Sequence, residues 1–151
     1  QTFTCHSGWP CTVSPVTGQV AAGDRLRVME SCYPAAPADG FLPLSSWQDS
    51  HISQAAASDL VFSWGDETEL GLGKEYELCW CSASAHDCGN HTSDYFARVG
   101  TLLVPGPAAL SDVLCADTCG FTFPSGQGVG LADGDLVMVL STCGIPDAVA
   151  G

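Results

Sequence analysis

Positive charge is scarce in this chain. Its 151 residues hold four Lys plus Arg against 17 Asp plus Glu, a formal net charge of −13. Phosphate contacts need Lys and Arg, and only Arg25, Arg27, Lys74 and Arg98 exist, which argues against nucleic acid as a partner. The same shortage argues against an anionic membrane surface. No apolar run approaches the ~20 residues of a transmembrane helix, so membrane insertion is not expected. No signal peptide is visible, and the chain opens at Gln1 rather than Met, which reads as a mature or trimmed form. Asparagine is rarer still, with Asn90 the single example.

Catalytic signatures are missing as well. There is no Gly-x-Ser-x-Gly elbow, His-Glu-x-x-His, phosphate loop or dinucleotide fingerprint. His6, His51, His86 and His91 read as surface residues. His86-Asp87 beside Cys88 would suggest an activated thiol, but Cys88 is expected to be oxidised. The expectation is a protein that is not an enzyme. Helix signal is weak. Trp47–Ala57 offers one or two turns, with Ser45 or Ser46 as N-cap, inside a long Ala/Pro/Ser-rich insertion over 33–58. With 46% hydrophobic and 14% charged residues the chain is nevertheless expected to fold.

What the sequence does have is cysteine: Cys5, Cys11, Cys32, Cys79, Cys81, Cys88, Cys115, Cys119 and Cys143. That density suits an oxidising compartment. No C-x-x-C pair is present, so metal binding is the weaker reading, although Cys79, Cys81, Cys88 and His91 offer a zinc-type donor set. Asn90-His91-Thr92 is an N-glycosylation acceptor next to Cys88 and Gly89, so a glycan at Asn90 is expected and no other cofactor. Cysteines and acceptor together predict a secreted, extracellular or cell-surface product.

The odd cysteine count follows from an interrupted repeat. Gly23-Asp24-Arg25-Leu26-Arg27-Val28-Met29-Glu30-Ser31-Cys32 matches Gly134-Asp135-Leu136-Val137-Met138-Val139-Leu140-Ser141-Thr142-Cys143 in its ends and its hydrophobic phase. Upstream, Cys5 and Cys11 recur as Cys115 and Cys119, an offset of 110 that becomes 111 at the final cysteine. Residues 1–107 are therefore read as one complete module and 108–151 as the first third of a second. Short loops favour Cys5–Cys11, Cys81–Cys88 and Cys115–Cys119, which leaves Cys32 for Cys79 and Cys143 unpaired or intermodular. Six cysteines allow 15 arrangements, so this pairing is an expectation. Cys79 lies in phase with Glu75 and Glu77 while Cys32 lies in phase with Leu26 and Val28, so a bridge between them calls for a bulge.

Runs rich in β-branched and aromatic residues predict strands at Thr2–Cys5, Cys11–Val16, Arg25–Ser31, Asp59–Trp64, Glu75–Cys81 and Tyr95–Val104. The second repeat adds Val113–Cys115, Gly120–Phe123 and Leu136–Ser141. Glu75–Cys81 alternates strictly, with Tyr76, Leu78 and Trp80 on one face. Gly100 marks a bulge or a bend, and Gly23-Asp24 and Gly134-Asp135 read as turns. Pro105-Gly106-Pro107 closes the module. This pattern predicts an all-β protein, a disulfide-clipped antiparallel β-sandwich with a partial second repeat. Strand Leu136–Leu140 is apolar on both faces, so it is expected to pair with the first module or with a neighbouring copy.

Gly73-Lys74-Glu75-Tyr76-Glu77-Leu78-Cys79-Trp80-Cys81, then Cys88, then Asp94 through Pro107 with Val99-Gly100-Thr101-Leu102-Leu103-Val104-Pro105-Gly106-Pro107, resembles a known pattern. It is similar to cysteine-rich tandem modules of large surface or secreted proteins of dinoflagellates and other alveolates, with a Tyr-x-Leu-Cys-Trp-Cys strand and a Val-Gly-Thr-Leu-x-Val-x-Gly-Pro ending. The likeness covers residues 70–107 well and the N-terminal third more loosely, and Tyr95 interrupts the Asp-Phe step. It implies a repeated extracellular module with an Ig-like fold, and no catalytic residues.

Some side chains remain. Asp66, Glu67 and Glu69 could hold Ca²⁺ but match no calcium loop, and a solvated acidic turn is the expectation. Asp39, Asp49, Asp112, Asp117 and Asp133 read as solubility charge. Trp64 and Trp80 are expected in the core. Trp9 and Trp47 are expected to pack under their own loops; exposed, they would be candidate ligand aromatics for glycans. The functional expectation is a structural module that assembles with like modules or identical subunits, by strand pairing, into a coat, appendage or filament. The alternative is a carbohydrate-binding or adhesin module.

Overall fold

A computed structural model describes residues 1–21, 23–38, 41, 52–55, 61–64, 71–89, 91–108, 122 and 127–139, with 52–55 as backbone only. Among the described residues ten strands run in chain order: β1 Thr2–Thr4, β2 Thr12–Val13, β3 Arg25–Ser31, β4 Ala36–Pro37, β5 Ile52–Ala55, β6 Phe62–Ser63, β7 Lys74–Cys81, β8 Ala97–Val104, β9 Gly106–Pro107 and β10 Gly128–Val129. One turn of 3-10 helix, Thr92–Asp94, precedes β8. The protein is all-β.

A single hydrogen-bonded path orders seven strands as β1-β8-β7-β3-β5-β6-β2, with β4 beside the upper half of β3. Every pair is antiparallel except β1 with β8, which is parallel. The two ends of this path meet. Cys5 N–H donates to Leu103 O and extends the β1–β8 ladder, while Trp64 N–H donates to Cys11 O and extends β2–β6. Cys5 and Cys11 are bridged with their Cα atoms 5.5 Å apart. The sheet is thus curled so that its two outer strands are tied to each other by this bridge.

Curling gives the sheet an inside. Leu26 and Val28 of β3, Tyr76 and Leu78 of β7, and Leu102 and Val104 of β8 alternate inward and meet Val13, Val16, Phe41, Phe62 and Trp64. Trp80 is partly buried against the same core. The outward phase of β3 and β7 is occupied at one end by a second buried cluster of Met29, Cys32, Cys79, Cys81, Cys88 and Tyr95. The sheet therefore has a packed inner face and a disulfide-covered patch on its outer face.

Two bulges adjust this frame. Register shifts between Met29 and Ser31 against β4, and beyond it Cys32 joins the outward cysteine cluster. This is the phase change that a Cys32–Cys79 bridge requires. The second shift falls opposite Leu78 and Cys79, which pair with Gly100 and Arg98. A Cβ on Gly100 would stand 2.8 Å from Gln1 O, so glycine there lets β1 approach and accept the Thr101 N–H. At the module's end, Gly73 N–H donates to Pro107 O, and a Cβ at Gly73 would lie 1.7 Å from Gly106 O. On its other edge the same short strand, β9, pairs with β10, which ties Gly128 and Val129 to Pro107 and Gly106.

Two expectations change. The weak helix over Trp47–Ala57 is replaced at Ile52–Ala55 by strand β5, because these residues fill the free edge of β3 and pair with Arg25–Arg27. Ala-rich helix preference of a few tenths of a kcal/mol per residue yields to such pairing. Leu136–Ser141 is not a strand within its described part, 136–139; Leu136 is 95% exposed and Met138 and Val139 each 72%. Its counterpart β3 is held between β7 and β5, and no strand flanks 136–139 among the described residues. Of Gly120–Phe123, only Thr122 is described, and it is not in a strand. The predicted strand Val113–Cys115 lies outside the described residues. No helix among the described residues is long and apolar enough to cross a membrane.

Candidate functional site

The cysteines form the most constrained region. Cys32–Cys79 spans 47 residues, Cys81–Cys88 seven and Cys5–Cys11 six. All six are buried. Around Cys32–Cys79, the Cys32 N–H donates to Glu77 Oε2 at 2.8 Å, and Arg98 Nε lies 3.2 Å from Glu77 Oε1. Cys88 adopts φ +50°, a left-handed conformation uncommon for a side chain with a Cβ. It is held there by its disulfide and by the buried Tyr95 hydroxyl, which donates to Cys88 O at 2.8 Å. The Arg27 guanidinium sits 5.6 Å from the Tyr95 ring centre, a cation–π contact that helps an Arg remain nearly buried.

Cys32, Glu77 and Cys79 place donor atoms within 4.8 Å of one another. Both sulfurs there belong to a disulfide, and metal coordination needs the thiolate. The zinc-type set suggested by the sequence meets the same obstacle: Cys79 is bonded to Cys32, and Cys81 to Cys88, with His91 exposed. Cys115, Cys119, Cys143, Asn90, Trp47, His51 and the acidic group Asp66, Glu67 and Glu69 lie outside the described residues.

The Gly-Asp turns give the sharpest local geometry. Asp24 is only 1% exposed. Its Oδ2 accepts the Ala21 N–H at 2.9 Å, its own N–H donates to Ala21 O, and its Oδ1 accepts the Ala83 N–H at 2.9 Å. Gly23 supplies the φ of +93° that the turn needs. Asp135 repeats the local half: Oδ2 accepts the Ala132 N–H at 2.9 Å, its N–H donates to Ala132 O, and Gly134 has φ +104°. The long-range bond differs, because Ala83 lies just past β7 and locks the first turn to that strand. Asp24→Ala is expected to cost about 1–3 kcal/mol, since two part-buried N–H groups lose the buried carboxylate that accepts them. Asp135→Ala should cost a few tenths, as expected of an exposed turn. Urea unfolding of the two variants checks the difference.

Trp9 was expected beneath its loop, but it is 70% exposed. The loop Cys5–Cys11 is too short to fold back over an indole, and Trp9 N–H is taken by His6 O in a tight turn. Trp9 borders a cleft of about 980 Å³ that also includes Pro105, Pro107, Gln127 and Asp133. Sequence reasoning missed this cleft and treated Asp133 as solubility charge; the linker prolines and the repeat's Gly-Asp turn were visible, but not their meeting.

These features define a disulfide-clipped all-β module followed by a segment that repeats one of its turns. The chain is 27% identical over 113 residues to Cysteine repeat modular protein B of Toxoplasma gondii, a match covering 74% of this chain and 1% of that protein. The chain thus spans a very small part of the relative's length. No family model and no solved structure matches.

Proposed function

We propose that the chain is a non-enzymatic structural module of a secreted or cell-surface protein, repeated in tandem and assembling with like modules into a coat, appendage or filament. The observation that carries this reading is the second Gly-Asp turn. It reproduces the two local hydrogen bonds of the first at an offset of 111 residues, without the long-range bond, and leads into an exposed apolar run at 136–139. In the first module the equivalent run is the central strand β3, flanked on both sides. An exposed run of the same phase is a ready acceptor for strands of a like module. The three buried disulfides and the likeness to a cysteine-repeat protein support an oxidising, extracytoplasmic setting. Glycosylation at Asn90 and an intermodular role for Cys143 belong to the same reading.

Hydrogen exchange on the native parent protein tests it. The amides of 136–139 should be protected as strongly as those of Arg25–Ser31. Exchange of 136–139 at the rate of an unstructured peptide would overturn the reading.

A second reading, a carbohydrate-binding or adhesin module, is favoured by the exposure of Trp9. A large aromatic left in water on a clipped loop is available for stacking.

A further inference from the structure

The exposed Trp9 side chain is not isolated on the surface. It lines the cleft of about 980 Å³ where the end of the first module meets the following segment, together with Pro105, Pro107, Gln127, Asp133 and Asp135. We propose that this junction cleft binds a neutral saccharide, with the Trp9 indole as the stacking platform and the Gln127 amide and Asp133 carboxylate as partners for the sugar hydroxyls. The proposal rests on the adhesin reading and adds to it a location, a donor set and a ligand class.

The chemistry follows from the lining. A pyranose presents an apolar C–H face and a rim of hydroxyls, so it fits a flat apolar ring flanked by hydrogen-bonding groups. A carboxylate accepts two hydroxyls, and an amide both accepts and donates. Hydrogen bonds to an ionised acceptor are the stronger kind. No Lys or Arg lines the cleft, and the chain carries a net charge of −13, so uronic and other acidic sugars are disfavoured. A cationic ligand is less well served. Among the described residues the cleft is lined by one aromatic side chain rather than a cage, and Asp135 Oδ2 is already committed to the Ala132 N–H.

Part of the wall is tied down in advance. The Cys5–Cys11 bridge clips the Trp9 loop, β9 pairs with β10 just before the Asp133 turn, and Ala108 N–H donates to Gln127 O. A preformed cleft loses little freedom on binding.

The test is an amide and indole NMR titration of the intact chain with cellobiose, N,N′-diacetylchitobiose and mannobiose, and with tetralysine as the cationic probe. At least one disaccharide should shift the Trp9 indole N–H saturably, with Kd on the order of 1 mM or tighter. Raising salt to about 0.5 M should leave that affinity within twofold, because the ligand is uncharged. Trp9→Ala should weaken it by about tenfold or more. Asp133→Asn should weaken it several-fold, whereas Asp87→Asn, on the Cys81–Cys88 loop, should not. Dispersed Trp64 and Trp80 indole signals show that each variant is folded, and Asp133→Asn carries the test if Trp9→Ala is not. Disaccharide binding that survives both Trp9→Ala and Asp133→Asn overturns the junction site but leaves the adhesin reading standing. No shift with any disaccharide overturns both, as does salt-sensitive binding of tetralysine alone.

Discussion

Replacing Cys32 and Cys79 together by alanine is expected to lower the unfolding free energy of the module by about 4 kcal/mol, the largest loss from removing any of the three observed bridges. The bridge closes a loop of 47 residues, and an unfolded chain constrained over that length has much less freedom than an open one. Removing Cys5–Cys11 or Cys81–Cys88, which close loops of six and seven, should cost only about 2 kcal/mol each. Against a typical domain stability of about 5–15 kcal/mol, the first loss leaves the module near its threshold. The three paired-alanine variants, unfolded in urea, should rank in that order, the first falling by roughly 2 M in midpoint. An equal fall for all three would show that something other than loop length governs the bridges.

Tyr76→Ala is expected to cost about 3–5 kcal/mol, as for other large aromatic truncations in cores. Tyr76 is buried on the inner face of β7 and meets Phe41 edge-on, with ring centres 4.9 Å apart. Its hydroxyl donates to Leu72 O, and Lys74 Nζ stands 4.9 Å from the ring centre. Truncation leaves a cavity between β7 and Phe41 and deprives a carbonyl of its donor. Tyr76→Phe separates the two effects and should cost only about 1 kcal/mol. Thermal unfolding with both variants checks this. A loss for Tyr76→Phe as large as that for Tyr76→Ala would place the stabilisation in the hydroxyl rather than the packing.

These expectations depend on elements of uneven legibility in the sequence. Strand β3 was readable to the residue and β7 within one, because strict alternation of Tyr76 and Leu78 against Glu75, Glu77 and Cys79 has no helical reading. The bulge before Cys32 was legible too, since two cysteines of opposite phase can meet only across a phase change. The parallel β1–β8 pair was not, because its partners are about a hundred residues apart and no local signal names them. Strand β5 was hidden by alanines that favour helix in isolation. For the candidate site, the Gly-Asp turns were readable from residue type, but the burial of Asp24 was not, as it depends on the Ala83 N–H arriving from β7. The junction cleft was invisible for the same reason: Trp9 and Asp133 are brought together by β9 pairing with β10.

The most direct measurement is disulfide mapping by mass spectrometry on native protein digested without reduction. Cross-linked peptides joining Cys32 to Cys79, Cys5 to Cys11 and Cys81 to Cys88 are expected. Thiols at these six positions that alkylate freely without reductant would contradict an oxidised, extracytoplasmic module, and a different pairing of Cys32 would contradict the fold built around it.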